Sequence, residues 1–187
     1  MAHPELKGLS DWTTFNSKNV YTNKNFQKIL DFFLFECPNQ HMSVRSHPFR
    51  EHGWQTKYFS GLQLKLRKAS EPKILFHRVA IKNLFETLKL TNQLGAVDCT
   101  NELVIYHDSG ESMVTLFGAI RNAFAHGSYQ IKTVNGTRYY CLENRTPPSV
   151  SQPLYFDQEV RARMVLKEKT LLSWIDILQA GHPNTAI

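Results

Sequence analysis

The chain has 187 residues, a formal net charge of +6, a hydrophobic fraction of 42% and an aromatic fraction of 12%. These values exclude a disordered chain, and the length fits a single domain, residues 1–187, with its own core. The positive charge favours a polyanionic partner such as RNA. The lack of a long apolar run predicts that the chain has no membrane partner.

The three cysteines are far apart, and none belongs to a Cys-x-x-Cys pair: Cys37, Cys99 and Cys141. An odd number of separated cysteines argues against a disulfide framework and a zinc ribbon, so we expect a reducing, cytoplasmic location. One alternative is a metal held by Cys37, His41, His47 and His52. Their spacings match no compact zinc motif, so no metal is predicted.

Apolar residues at helical spacing predict a first core helix over residues 25–37, which Pro38 ends. Residues 54–68 fit a helix or a strand, and both interpretations stay open. A second helix is predicted over residues 70–90, with a proline in its first turn. His77 lies in the apolar stripe of that helix, where a core or interhelix contact is expected.

A third helix is predicted from about Ser109, whose side chain can cap free backbone N–H groups, to Gly127, which supplies the stop. A rotation of about 100° per residue places Asn122 and His126 near the pole opposite the core, with Arg121 on the border. The core stripe consists of Met113, Phe117, Ile120 and Phe124.

Small residues flank the polar face of this helix: Gly118, Ala119, Ala123 and Ala125. A glycine inside a helix costs up to about 1 kcal/mol relative to alanine, so a close neighbour is expected there. Three neighbours fit: a second copy of the helix, another helix of the same chain, or the backbone of a ligand.

A β-hairpin is predicted over about residues 129–142, because Asn135-Gly136 separates two strand-like runs. Residues 160–166 alternate between apolar and basic side chains, which fits a third strand and fits a helix nearly as well. A last helix is predicted over residues 171–178 and ends before Gly181. Four apolar-faced helices favour a mainly α fold, an antiparallel four-helix bundle with the hairpin or small sheet as an appendage.

The residues best suited to chemistry are Arg121, Asn122 and His126. A guanidinium that stays protonated and an imidazole that titrates near neutrality together suit cleavage of a phosphodiester without a metal. Asn122 and His126 are one helical turn apart, so the amide can hydrogen-bond the ring. A histidine in the last turn of a helix also interacts well with the helix dipole whatever its function, and that interpretation stays open.

Residues 121–127, Arg-Asn-Ala-Phe-Ala-His-Gly, resemble the motif of the HEPN superfamily, four-helix nucleotide-binding and RNase domains of toxin–antitoxin and defence systems. The resemblance implies an endoribonuclease that needs neither metal nor cofactor and works as a homodimer through the motif helices. It also implies a toxin or antiphage effector with an antitoxin protein as partner. The alternative is a non-catalytic HEPN-like module that binds RNA or nucleotides or regulates another protein.

The resemblance further implies roles for single residues. The RNA 2′-OH attacks its adjacent phosphate, with His126 as general base or acid, Arg121 on the phosphate and Asn122 orienting the phosphate or the ring. Tyr129 is a candidate for modification by an antitoxin, one residue beyond the His-x-Tyr spacing of that subgroup, and its other interpretation is a first strand residue. Basic side chains of the predicted strands are expected to contact RNA: Lys132, Arg138, Arg161 and Arg163.

Overall fold

The computed structural model describes residues 22–38, 49, 51–94, 98–107, 112–145 and 160–183. The helices are α1 (Lys24–Asp31), α2 (Phe59–Lys68), α3 (Ile81–Leu90), α4 (Ser112–Ala125) and α5 (Glu168–Ala180). A π-helical turn (Phe32–Glu36) continues α1, and a 3₁₀ turn (Thr56–Tyr58) precedes α2. The strands are β1 (Leu75–Val79), β2 (Leu103–His107), β3 (Tyr129–Val134), β4 (Thr137–Arg145) and β5 (Val160–Lys167).

Within the described residues the five strands form one mixed sheet in the order β1-β2-β5-β4-β3. β1 and β2 are parallel, and the chain crosses between them through α3, as a parallel pair requires. The pairs β2–β5, β5–β4 and β4–β3 are antiparallel, and β3 and β4 form a hairpin. The edges of the sheet are therefore β1 and β3.

The two faces of the sheet bury different helices, because side chains alternate between the faces along each strand. On one face, Tyr140 and Leu142 pack in a core with α1, α2, α4 and α5, and we call this the α4 face. On the other face, Cys141 packs in a core with Leu84 and Leu88 of α3, and we call this the α3 face. Helices thus cover the sheet on both sides, which is an α/β architecture.

The prediction of a mainly α four-helix bundle is wrong, because the sheet is the central layer and not an appendage. The helix predicted over residues 70–90 is wrong in its first half, where residues 75–79 form β1. Helix α3 begins only after Ala80, whose ψ of 146° is extended. β1 forms because its backbone pairs with β2. The apolar residues of this segment are at helical spacing, which gives no sign of that pairing. His77 is consequently a half-buried strand residue.

Several local predictions are confirmed. The hairpin turns at Asn135 and Gly136, whose φ values of 50° and 73° are both positive, as a type I′ turn requires. Residues 160–167 form a strand, and the last predicted helix is present as α5. The first predicted helix is present as α1 with its π-helical continuation. Residues 59–68, left open between helix and strand, form α2.

Candidate functional site

Helix α4 ends in a Schellman motif centred on Gly127. Gly127 has a φ of 67°, and its backbone N–H donates to the carbonyl oxygen of Phe124 over 3.2 Å. The next N–H, from Ser128, donates to the carbonyl oxygen of Ala123 over 2.8 Å. Glycine is favoured here because the motif needs a left-handed residue just after the helix. The predicted stop at Gly127 is confirmed, and the predicted start near Ser109 lies outside the described residues.

Most of the circumference of α4 is buried within its own chain. The predicted core stripe is buried, but so is Gly118, which the helical wheel places beside the polar pole. Ala119 and Ala123 are buried as well, and α4 contacts the π-helical turn, β2 and β4. The close approach predicted from the small residues is therefore made inside the chain at these three positions. Among the small residues only Ala125 is exposed.

Arg121 is half-buried and contacts a neighbouring side chain rather than a counter-ion. Its Nη1 donates to Oδ1 of Asn122 over 3.2 Å. Its Nε is buried and has no acceptor among the described residues. No carboxylate of the described part of the chain forms an ion pair with it. A guanidinium in this state can bind an anion such as a phosphate oxygen.

His126 is exposed one helical turn after Asn122. Its backbone N–H donates to the carbonyl oxygen of Asn122 over 3.0 Å, so its backbone continues the register of α4. Arg121, Asn122 and His126 together make a polar surface that we call the α4 patch.

Cys37 lies beside the α4 patch, a neighbour that the sequence did not predict. It follows the π-helical turn, is buried, and its Sγ donates to the carbonyl oxygen of Phe117 over 3.7 Å. Burial raises the pKa of the Cys37 thiol well above its ordinary value, and the positive charge of Arg121 opposes that rise. Cys37 therefore stays a neutral thiol and does not compensate the charge of Arg121. No local pattern signals this contact, because it depends on the packing of the π-helical turn against α4.

Tyr129 is the first residue of β3, as one of its two interpretations from the sequence predicted. Its ring packs against Phe124 and Phe26, with ring centroids 5.1 Å and 6.2 Å away. The side chain is half-buried in this aromatic cluster on the α4 face. Its modification by an antitoxin remains a prediction.

Arg163 requires a correction, because it does not belong to a basic surface. It is 0% exposed on β5, and its Nε donates to Oε2 of Glu143 on β4 over 2.9 Å. Its Nη2 pairs with the same oxygen, and its Nη1 donates to the carbonyl oxygen of Gln93. Nε of Arg145 binds the other Glu143 oxygen over 2.6 Å. A buried guanidinium held by a carboxylate cannot contact RNA, so the predicted role of Arg163 is wrong.

Arg138 lies on the α4 face but is also paired. Its Nη1 donates to Oε2 of Glu168 over 2.7 Å, and the Tyr140 hydroxyl and the Asn25 amide donate to the same carboxylate over 3.0 Å each. The hydrogen bond to Glu168 raises the pKa of Arg138. Burial tends to raise the pKa of Glu168, but the three hydrogen bonds outweigh it and lower that pKa. The charge of Arg138 is thus neutralised, which weakens its attraction for phosphate.

Lys132 lies on the wrong face of the sheet to join the α4 patch, and Arg161 lies at an irregularity of β5. Lys132 is directly opposite Tyr139 on the neighbouring strand, and Tyr139 belongs to the core of the α3 face. Val160 pairs with Arg145 and Ala162 pairs with Asn144, so the register skips Arg161 between them and alternation does not assign its side chain to a face. Both side chains are half-buried. The structure therefore places Arg121, Asn122 and His126 at the end of one helix, with Lys132 on the opposite face of the sheet.

The metal alternative lies partly outside the described residues, because His41 and His47 are not among them. Cys37 is buried with a raised pKa, which disfavours the thiolate that a metal needs. No cluster of three or more histidine, cysteine or acidic side chains in the described ranges is arranged to hold a metal ion.

Comparison with known proteins found no matching family model, no matching curated protein and no matching solved structure. None of the helices that the structure describes is long and apolar enough to cross a membrane. The features that bear on function are those of the chain itself, above all a half-buried guanidinium near an exposed imidazole.

Proposed function

We propose that the chain is an endoribonuclease that cleaves RNA at the α4 patch without a catalytic metal. One observation carries the proposal: the Arg121 guanidinium has no carboxylate partner among the described residues, and Arg121 lies in the last turns of the helix that leads into the exposed His126. An uncompensated cation and an imidazole, which can both donate and accept a proton, suit phosphodiester chemistry. The resemblance of residues 121–127 to the HEPN motif supports the same activity.

In the proposed reaction the 2′-hydroxyl oxygen attacks the adjacent phosphorus, and the bond from phosphorus to the 5′-oxygen breaks. His126 accepts the proton of the attacking hydroxyl, and Arg121 stabilises the negative charge on the phosphorane oxygens. Asn122 orients Arg121 through the bond to Nη1. A second acid protonates the leaving 5′-oxygen. The products are a 2′,3′-cyclic phosphate and a 5′-hydroxyl, and DNA is not cleaved because it lacks the nucleophile.

We also propose that the active form is a homodimer in which two α4 patches face each other. One patch holds one imidazole, whereas the reaction moves two protons, so the partner's His126 supplies the second acid. Ala125 and His126 are exposed and available for that contact. In the toxin or defence role that the HEPN resemblance implies, an antitoxin protein restrains the activity.

The test is an assay on single-stranded RNA in excess EDTA with identically purified variants. Arg121→Ala and His126→Ala should each reduce cleavage by at least about 100-fold, because each removes a group that acts in the transition state. Arg67→Ala is the matched control, an exposed arginine on another helix, and should cleave like the unchanged chain. A substrate with a single 2′-deoxynucleotide should resist cleavage at that position.

Two results would end the proposal. If the chain binds RNA but never shortens it, it is the non-catalytic binding module. If Arg67→Ala loses as much activity as Arg121→Ala, net charge rather than the α4 patch is responsible. For the shared site, excess His126→Ala protein should suppress the activity of the unchanged chain through mixed dimers, whereas excess Arg67→Ala protein should not. Activity that His126→Ala protein leaves unchanged would show that each copy acts alone.

A further inference from the structure

Two cysteines that are distant in the sequence meet on the α3 face. Cys141 is buried in the middle of β4, opposite Val165 of β5, which in turn pairs with Leu103 of β2. Cys99 lies shortly before β2 and packs against the core that contains these three residues. The segment that enters β2 therefore reaches over the α3 face to β4.

The two thiols are hydrogen-bonded to each other and differ in their surroundings. Cys99 is half-buried, and its pKa is lowered by the hydrogen bond with Cys141 and by the charge of Lys132, although burial and the charge of Asp98 oppose this. The pKa of Cys141 is raised by the same hydrogen bond and by burial. Cys99 is thus the partner that loses its proton more easily and has access to solvent, and Cys141 is the partner that holds its proton more tightly.

Tyr139 and Lys132 are the neighbours of the two thiols on the α3 face. Tyr139 is on the same face of β4 as Cys141, and the negative charge of Cys99 contributes, after burial, to raising the pKa of the Tyr139 hydroxyl. Lys132 on β3 is directly opposite Tyr139, so its ammonium group borders the pair. The cluster is a half-buried thiol, a buried thiol and a lysine, and the α4 patch uses none of the three.

We propose that Cys99 and Cys141 are a redox modification site, at which a hydroperoxide converts the two thiols into a reversible disulfide. Contact between a half-exposed and a buried sulfur is the arrangement in which one thiol reacts and the second resolves the product. Cys37 takes no part, since it is buried on the α4 face with Phe117 as its partner.

The chemistry balances in two steps. The Cys99 thiolate attacks one oxygen of hydrogen peroxide, the O–O bond breaks, and the leaving hydroxide takes up a proton to form water. Cys99 is then a sulfenic acid. The sulfur of Cys141 attacks the Cys99 sulfur, the S–O bond breaks, and the second oxygen leaves as water with the proton of Cys141. Two thiols lose two electrons, and the peroxide gains them.

The disulfide would close a covalent loop around the functional helix. The stretch between Cys99 and Cys141 contains β2, all of α4 and β3, and so carries Arg121 and His126. Closing a loop of this size stabilises the folded chain chiefly by restricting the unfolded one. The proposal does not depend on RNA cleavage, because its test reads the sulfur chemistry directly.

The experiment uses the full reduced chain treated with hydrogen peroxide, quenched with N-ethylmaleimide in denaturant and weighed by mass spectrometry. The reduced chain should take three labels, one for each cysteine. After peroxide it should take one label, at Cys37, with a cross-linked peptide pair joining Cys99 to Cys141. Dithiothreitol should restore three labels, and the Tm of the oxidised chain should rise on the order of 10 °C.

Two variants assign the order of the steps. In Cys141→Ala, Cys99 should accumulate as a sulfenic acid that dimedone traps, because the resolving thiol is missing. In Cys99→Ser, which alters only a half-buried position, Cys141 should stay reduced and take its label after the same treatment. Three labels on the unchanged chain after peroxide, or a disulfide that involves Cys37 or joins two chains, would overturn the proposal.

Discussion

Arg163 and Arg121 lie on opposite sides of the sheet, and they differ in whether a carboxylate of the described residues pairs with the guanidinium. Arg163 on the α3 face is 0% exposed, and the Glu143 carboxylate and a backbone carbonyl hold its guanidinium. Arg121 on α4 is half-buried and meets a neutral amide, with its Nε left unpaired by the described residues. The first arginine is neutralised by the fold, whereas the second keeps a charge that another molecule can neutralise.

The difference bears on function because an unpaired buried donor destabilises the fold. Leaving such a group without an acceptor costs about 1–3 kcal/mol, and an ion pair or an apolar side chain would avoid that cost. The chain supplies a counter-ion to Arg163 through Glu143 and, among the described residues, supplies none to Arg121. An arginine in the second state is understandable if its acceptor is a phosphate that arrives with the ligand.

The largest change in the free energy of unfolding is expected when Arg163 loses its carboxylate partner. Glu143→Ala should lower the free energy of unfolding by about 3–5 kcal/mol, because it removes the buried carboxylate that pairs with both Arg163 and Arg145. Urea denaturation followed by circular dichroism measures the change.

The control replaces all three charged side chains together, as Glu143→Leu, Arg145→Met and Arg163→Met. It should recover most of the lost stability, because the carboxylate and the two guanidinium groups that pair with it are removed together. A loss below about 1 kcal/mol for Glu143→Ala would contradict the assignment of Arg163 as a structural residue.

The Glu143–Arg163 pair also shows where prediction from the sequence stops. Arg161 and Arg163 alternate with apolar residues, and this pattern correctly indicates a strand. It does not reveal that Glu143 lies directly opposite Arg163, because strand register is a property of the folded sheet. The same limit explains the missed pairing of β1 with β2 and the unexpected contact between Cys99 and Cys141.

Features encoded by a few adjacent residues were predictable. Asn135-Gly136 has the φ values that its dipeptide favours, and Gly127 ends α4 where a helix stop was expected. The outward position of His126 also followed from helical spacing. The burial of Gly118 could not be predicted in this way. A helical wheel assigns burial only to the apolar stripe, whereas neighbouring elements pack against α4 on several sides.

The next largest effect tests the backbone between His126 and the first residue of β3. Gly127→Ala should destabilise the chain by about 1–2 kcal/mol, because an L residue is disfavoured at a φ of 67°. The matched control is Gly61→Ala in the interior of α2, which should stabilise by up to about 1 kcal/mol. An added Cβ meets no atom within 4 Å at either position, so the opposite signs isolate the backbone conformation. Equal effects in thermal denaturation would contradict this explanation.

A smaller effect should appear as a pH dependence on the α4 face. The pKa of Glu168 is lowered in the folded chain, since the hydrogen bonds from Asn25, Arg138 and Tyr140 outweigh the effect of burial. Its contribution to stability is therefore present above the ordinary carboxyl pKa and is lost as the pH falls below it.

Glu168→Gln should accordingly cost about 1 kcal/mol at pH 7 and less at pH 3, measured by urea denaturation at both values. Asp176→Asn is the control, since Asp176 pairs with Lys28 across an exposed surface. It should change stability little at either pH. A cost of Glu168→Gln that is the same at both values would mean that the carboxylate charge is not what the three donors stabilise.

The smallest loss of stability is expected at the site itself. Arg121→Met keeps an apolar stem of similar length but removes the positive charge and the unpaired Nε, so the free energy of unfolding should fall by no more than about 0.5 kcal/mol. Arg163→Met in the same denaturation series should cost several times more, since it takes from the buried Glu143 carboxylate one of the two guanidinium groups that bind it. If Arg121→Met instead costs 2 kcal/mol or more, roughly the penalty of a lost buried partner, then Arg121 holds the fold as Arg163 does. A near-zero cost, together with loss of RNA cleavage in the same variant, would place its charge in the reaction rather than in the fold.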